Sequence, residues 1–321
     1  MAVDADPDFL SQADPYRREL LAHCYRMLGS VHDAEDLVQE TMLRAWRGYD
    51  RFEGRSSLRT WLYRIATTQC LTALESRGRR PLPTGLGGPS DTGGLPLEKR
   101  DEVPWLEPMP GDSDSDTEDP ATIVASRESM RLAFVAALQH LPAKQRAVLI
   151  LRDVLAWRAA EVAELLGTTT AAVNSALQRA RAQLDEVAPK QDDVVEPTTE
   201  DKQRLLARYV AAFERKDVDA IVALLAEDAV WEMPPFTTWF QGPEQVARHL
   251  TGQCPGGPGD FRFATTEANG EPALGMYLRA GDGVFRPFAL QAFTVRGERY
   301  SHVVSFFDHR LFDTFGLPET L

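Results

Sequence analysis

The chain has 321 residues, 43% of them hydrophobic and 9% aromatic, enough to build real cores, which excludes global disorder and suggests two or three folded units. Its net charge of −13 argues against a protein that holds duplex DNA by its own electrostatics alone. The charge is uneven: 12 basic and 12 acidic side chains over 1–80, 2 and 10 over 81–126, 9 and 6 over 127–190, and 12 and 20 over 191–321. No stretch approaches the length of a membrane span, and the acidic opening MAVDADPDFLSQADP lacks the apolar run of a secretory signal. A cytoplasmic chain with no membrane contact is therefore expected. Cys24, Cys70 and Cys254 are odd in number, widely spaced and outside any Cys/His metal pattern, so they are expected as reduced thiols with no metal or cofactor.

Residues 14–80 carry a helical grammar. Tyr16, Leu20, Cys24 and Leu28 form one stripe closed by Gly29, a C-cap signal. Ser30 is placed to N-cap a longer helix whose apolar face is Ala34, Leu37, Val38, Thr41, Ala45 and Trp46, with Asp36, Gln39, Glu40 and Arg44 opposite. The loop YDRFEGRSS leads to a third helix with Leu58, Trp61, Leu62, Ile65 and Leu71 inward. From Pro81 the pattern collapses: eight prolines and six glycines by Pro120, with runs such as GDSDSDTED, predict a flexible acidic linker over 81–125.

Helices resume over 126–188, with Met130, Phe134, Leu138 and Leu141 at helical spacing. Within this segment AAEVAELLGTTTAAVNSALQRARAQL reads as two helices broken at Gly167. Val173, Leu177, Ala180 and Leu184 face inward, and small or hydrogen-bonding residues followed by arginines face out. Such a face suits a recognition helix: small polar residues approach base edges and later arginines meet phosphates. A second linker is expected over 189–201. Beyond it, over 202–321, two helices precede DAVWEMP, a helix from Pro243 to Leu250, and the alternating runs FRFATTEA, ALGMYLRA, PFALQAFTVRG and YSHVVSFFD. That order predicts an α+β unit, a curved antiparallel sheet with helices on one side.

Three pieces in order, DAEDLVQETMLRAW (Asp33 to Trp46), RFEGRSSLRTWLYRIAT (Arg51 to Thr67) and LPAKQRAVLILRDVLAWRAAEVAELLGTTTAAVNSALQRAR (Leu141 to Arg181), resemble the bacterial extracytoplasmic-function sigma factors. The tail after Leu205 resembles the SnoaL-like domains, a cone-shaped fold shared with polyketide cyclases. The resemblance implies a multi-domain chain: two all-α sigma domains, region 2 over 1–80 and region 4 over 126–188, then a SnoaL-like domain over 202–321 that modulates them. Its implied partners are core RNA polymerase, through the largest subunit's clamp helices and the flap, and promoter DNA. A small molecule or protein regulator at the tail is a further expectation.

By the same resemblance Asp33, Asp36, Leu37, Gln39 and Glu40 dock on the clamp helices, with Val38 as a second apolar anchor. Arg55, Ser56, Ser57, Arg59 and Arg64 meet the −10 element, with Trp61 assigned to the core. Where the family often carries an Asn after Arg-Ile-Ala, this chain has Thr67, Thr68 and Gln69. Thr169, Thr170, Ala172, Asn174, Ser175, Gln178, Arg179 and Arg181 match the −35 helix, Asn and Gln being suited to adenine. Arg181 is read equally well as an ion-pair partner of Asp185. The linker's place in the family is the polymerase's cationic RNA-exit channel. In the tail, Trp231, Met233, Trp239, Tyr277 and Phe288 are expected to line a cavity, with His302 facing it. A lone His beside an apolar face is more often a hydrogen-bonded core residue, and His302 is read as that ahead of an acid–base group. No catalytic residue is assigned. A dimeric repressor leaves Asp33 to Trp46 without work, and a tail enzyme needs a His–carboxylate pair.

Overall fold

The computed structural model describes residues 7–76, 78–91, 97–111, 129–187 and 197–321. They divide into two compact units, one from 7–80 and 129–187, the other from 81–111 and 197–321.

The first unit is helical: α1 (Pro7–Ala13), α2 (Arg17–Leu28), α3 (Val31–Gly48), α4 (Leu58–Ser76), α5 (Leu132–Leu138), α6 (Ala143–Leu149), a π-helical turn at Ile150–Val154, α7 (Ala159–Leu165) and α8 (Thr170–Val187). Gly29 ends α2 in the left-handed region at φ 70°, where its N–H closes on the Tyr25 carbonyl, a conformation that favours glycine. Ser30 then accepts the Asp33 N–H at 3.1 Å and starts α3, as its sequence position predicts. Val31, Ala34, Val38, Thr41, Met42 and Ala45 are the buried face of α3. Inside, His23 on α2 meets Thr67 on α4 at 2.9 Å, and Gln69 on α4 donates to Thr41 on α3 at 2.9 Å. These bonds satisfy polar groups on facing helices and fix their register.

The second unit contains α9 (Thr199–Glu214), α10 (Val218–Val222), β1 (Leu225–Glu232), β2 (Trp239–Gln241), α11 (Pro243–Gly252), β3 (Phe261–Ala268), β4 (Glu271–Arg279), β5 (Phe285–Arg296), β6 (Arg299–Phe306) and α12 (Arg310–Thr314). The sheet order is β2-β1-β6-β5-β4-β3. β1 and β6 pair in parallel and the other neighbours antiparallel, so the sheet is mixed where a purely antiparallel one was expected. The intervening strands and α11 lie between β1 and β6 in the chain, which frees the last strand to return beside the first.

Period-two alternation divides the strands between two faces. On one face Trp231, Phe240, Phe261, Met276, Phe293 and Val303 pack with Leu205, Tyr209 and Phe213 of α9. The opposite face is covered by α12 and the C-terminal segment. There a Cβ at Gly275 would lie 2.7 Å from Leu317 Cδ1, and Tyr277 donates to the Pro318 carbonyl at 2.7 Å.

The stretch expected as a flexible linker is, over 81–91 and 97–111, a strap on this sheet. Leu82, Leu106 and Met109 are buried. The Trp239 indole N–H donates to the Gly87 carbonyl at 2.9 Å, while Lys99 bridges Phe236 and Pro110 bridges Ala268. The strap thus runs from the β2 edge to the β3–β4 turn, where Asn269 N–H donates to the Met109 carbonyl at 2.8 Å. Its composition cannot build a core, but a few apolar residues and its backbone groups borrow one. Residues 112–125 of the expected linker, and 189–196 of the second, lie outside the described residues. The rest of the second linker already belongs to the domain, for Thr198 caps α9 by accepting the Asp201 N–H at 3.2 Å.

Candidate functional site

The outer face of α3 is set by what its inner face buries. Asp36 and Gln39 are exposed and Leu37 is half-buried. Glu40 is half-buried and accepts from Arg44 at 2.6 Å, one turn on. Asp33 is ion-paired with Arg80. Val38, read both on the inward face and as a second anchor, is buried and lines an apolar groove of about 660 Å³ between α1, α2 and α3. Phe9, Leu21, Met42, Leu43 and Trp46 also line this groove; Leu43 is 39% exposed, a large apolar side chain left open to solvent.

The predicted −10 residues are dispersed by their own neighbours. Arg55 projects into solvent with Glu53 at 3.1 Å, and Ser56 is half-buried in the same loop. Ser57 caps α4, accepting the Thr60 N–H at 3.1 Å. Arg59 is held by Glu19 through bonds of 2.7 to 2.9 Å and lies over the Tyr63 ring. The hydrogen bonds to Glu19 hold its guanidinium above the usual arginine range. Trp61, assigned to the core by its spacing, is half-exposed and stacks on Phe52 at 4.9 Å. With Arg44, Arg64, Ile65, Thr68 and Gln69 it lines a cleft of about 370 Å³ between α3 and α4. A flat ring flanked by two arginines and two hydrogen-bonding side chains is the chemistry a single-stranded base requires. Spacing assigned Trp61 to the core because an amphipathic stripe does not tell its edge from its centre.

The helix-turn-helix comprises α7, the turn at Gly167 with φ 61°, and α8. Val173, Leu177 and Ala180 are buried. Thr169, Thr170, Ala172, Asn174, Ser175, Gln178, Arg179 and Arg181 are all exposed. Thr169 caps α8 by accepting the Ala172 N–H at 3.2 Å. Arg181 is bound by both oxygens of Asp153, at 2.7 and 2.8 Å, so its ion-pair partner comes from the π-helical turn rather than from Asp185.

Strand register separates the six predicted cavity residues. Trp231 and Met233 belong to the helix-facing core, with Phe288 packed against it. Trp231 pairs with Val303 and Phe240, so the neighbouring Glu232, Trp239 and His302 point to the opposite face, as does Tyr277. His302 Nε2 lies 2.6 Å from Glu232 Oε2, and Glu232 Oε1 accepts the Thr84 N–H of the strap at 2.6 Å. A fully buried carboxylate is thereby satisfied from both sides. The His–carboxylate pair that a tail enzyme would need exists, but beneath the strap and away from the aromatic interior. Sequence reading missed Glu232, whose signal was an acidic residue inside the apolar run VWEMPP. Among the described residues no group of three or more His, Cys, Asp or Glu is placed to hold a metal, and no helix is long and apolar enough to cross a membrane.

Comparison with known proteins matches these pieces one by one. Family models match sigma-70 region 2 over residues 13–80, sigma-70 region 4 over 131–184 and a SnoaL-like domain over 206–310. The ECF RNA polymerase sigma factor SigG of Mycobacterium tuberculosis is 59% identical over 316 residues, 98% of this chain and 85% of that protein. SigJ of the same species, also an ECF RNA polymerase sigma factor, is 31% identical over 300 residues, 89% of this chain and 88% of SigJ. The crystal structure of M. tuberculosis SigJ superposes with a TM-score of 0.63 at 26% identity, covering 96% of this chain and all of that one. Helical sigma domains followed by a sheet-bearing SnoaL-like domain are therefore the architecture of this chain, and the chain belongs to the ECF RNA polymerase sigma factors.

Proposed function

We propose that this sigma factor docks on core RNA polymerase through α3, presents the α3–α4 cleft to the −10 strand and α8 to the −35 major groove, and is modulated by its SnoaL-like domain through the strap. Asp36 and Gln39, exposed on α3, meet the basic clamp helices of the largest subunit, with Leu37 between them and Glu40 and Asp33 at the margin. In the second sigma domain, which also meets the flap, Asn174 and Gln178 read bases while Arg179 serves the backbone. Arg181 adds to that set only when Asp153 releases it. The polymerase performs the nucleotidyl transfer; no reaction is assigned to this chain, which acts in the cytoplasm.

One observation carries the modulation: the connector between the two sigma domains lies bound across the SnoaL-like sheet, with the Thr84 N–H on Glu232 and the Trp239 indole on Gly87. Its net charge of −8 over residues 81–126 suits the cationic channel of the polymerase. A connector held on the sheet is not available to that channel, so its hold on the sheet competes with transcription. The test is reconstituted transcription with core polymerase, comparing the full chain with Trp239→Ala and Glu232→Ala variants. A several-fold change in promoter-dependent transcript at equal polymerase occupancy supports modulation through the strap. Unchanged output from both variants refutes it, while failure of the full chain to bind polymerase at all refutes the docking assignment.

A further inference from the structure

Arg64, one of the two arginines that line the α3–α4 cleft, is already engaged within the first unit. Arg64 Nη2 donates to Glu164 Oε1 at 2.7 Å, and Glu164 sits on α7, the first helix of the helix-turn-helix. Beside it Tyr63 packs edge-on against Trp157 with ring centroids 5.6 Å apart. The same two sigma domains are also joined by two buried arginines. Arg26 on α2 donates to the Ser129 hydroxyl at 2.9 Å, and Arg146 on α6 donates to the Met27 carbonyl in the last turn of α2, a position where the helix dipole favours a cation. Burial lowers both guanidinium groups to about 10.

A carboxylate is a planar anionic acceptor, and arginine binds it much as it binds a phosphate oxygen. We propose that Glu164 stands in for a promoter phosphate on Arg64, so that the free chain masks its single-strand cleft with its own helix-turn-helix. Single-stranded promoter DNA and α7 then compete for one guanidinium, and drawing the helix-turn-helix to duplex DNA releases the cleft. This mask rests on the assignment of the α3–α4 cleft to the −10 strand. It is distinct from modulation by the strap, since every group in it belongs to the sigma domains.

The pair is accessible, with Arg64 41% and Glu164 74% exposed, so neutral substitutions leave the fold intact and the coupling is modest. The test measures binding of a fluorescein-labelled single-stranded oligonucleotide of about 12 nucleotides with randomised sequence to the full chain, by anisotropy. Glu164→Gln is expected to tighten binding about two- to five-fold, and Arg64→Gln to weaken it. In the Arg64→Gln background, Glu164→Gln is expected to have no further effect, which separates the mask from mere removal of a negative charge. Weakening by Arg64→Gln with no gain from Glu164→Gln, or an equal gain in both backgrounds, overturns the mask and leaves the cleft assignment standing. If Arg64→Gln binds as the wild type does, the cleft assignment falls and the mask with it.

Discussion

Leu106→Ala should release the strap. Leu106 is fully buried, its N–H donates to the Pro81 carbonyl at 3.1 Å, and it lies between the two ends at which the strap is tied to the sheet. Truncating a buried leucine costs about 2–5 kcal/mol. Because the undocked strap leaves that side chain in water in any case, almost all of this loss falls on the docked state. At about 1.4 kcal/mol per decade, even the lower figure raises the undocked population about thirty-fold. Trypsin reads this population. Lys99 and Arg100 lie on the strap, with Lys99 bridged to Phe236 and the Arg100 N–H bound to the Pro235 carbonyl at 2.9 Å. Cleavage there requires local release, and at low protease its rate follows the open fraction. Mass spectrometry of the full chain should show faster cutting after Lys99 and Arg100 by about the same factor, with other sites unchanged. An unaltered rate at those two residues would refute the claim that Leu106 holds the strap. An equal acceleration at every site would show that it supports the whole domain instead.

Asn174→Ala and Gln178→Ala remove exposed side chains from α8, so the melting temperature should hold while binding of the holoenzyme to its −35 sequence weakens by about 1–3 kcal/mol each; equal weakening on scrambled duplex would assign them to the backbone rather than to bases. Acid should destabilise both units through buried histidines. Burial, aided by the Arg26 charge, lowers His23 from 6.5 to about 3, and burial, aided by the Lys216 charge, lowers His249 from 6.5 to about 4. Each is neutral when folded and takes its proton on unfolding, so the unfolded chain binds more protons below 6.5 and stability is lost as the pH falls. At pH 5 the loss is about 2 kcal/mol per histidine, and His249→Gln should flatten the pH dependence of SnoaL-like domain melting between 7 and 5. Identical slopes for variant and wild type would count against a buried neutral His249.

Local patterning was enough to place most of the secondary structure and the exposed surface of α8. The cap at Ser30, the stop at Gly29, the inward stripe of Val173, Leu177 and Ala180, and the alternation along β1, β3, β4, β5 and β6 are written in residues close together in the chain, where periodicity and turn chemistry act directly; the short β2 carried no such signal. What tertiary structure decided depended on partners far along the chain. Arg59 went to Glu19, Arg64 to Glu164 and Arg181 to Asp153, choices that no helical spacing encodes. Trp61 moved from core to cleft because Phe52 and Arg64 border it. His302 and Tyr277 left the expected cavity because strand pairing assigned their face, and a one-residue shift of register reverses every side chain. The connector was the largest departure. Its proline, glycine and acidic residues correctly denied it a core of its own, while the groups that bind it, Glu232, Trp239 and Asn269, come from a sheet and turn more than a hundred residues later. Composition determines whether a segment folds alone; only the assembled surface determines whether it is held.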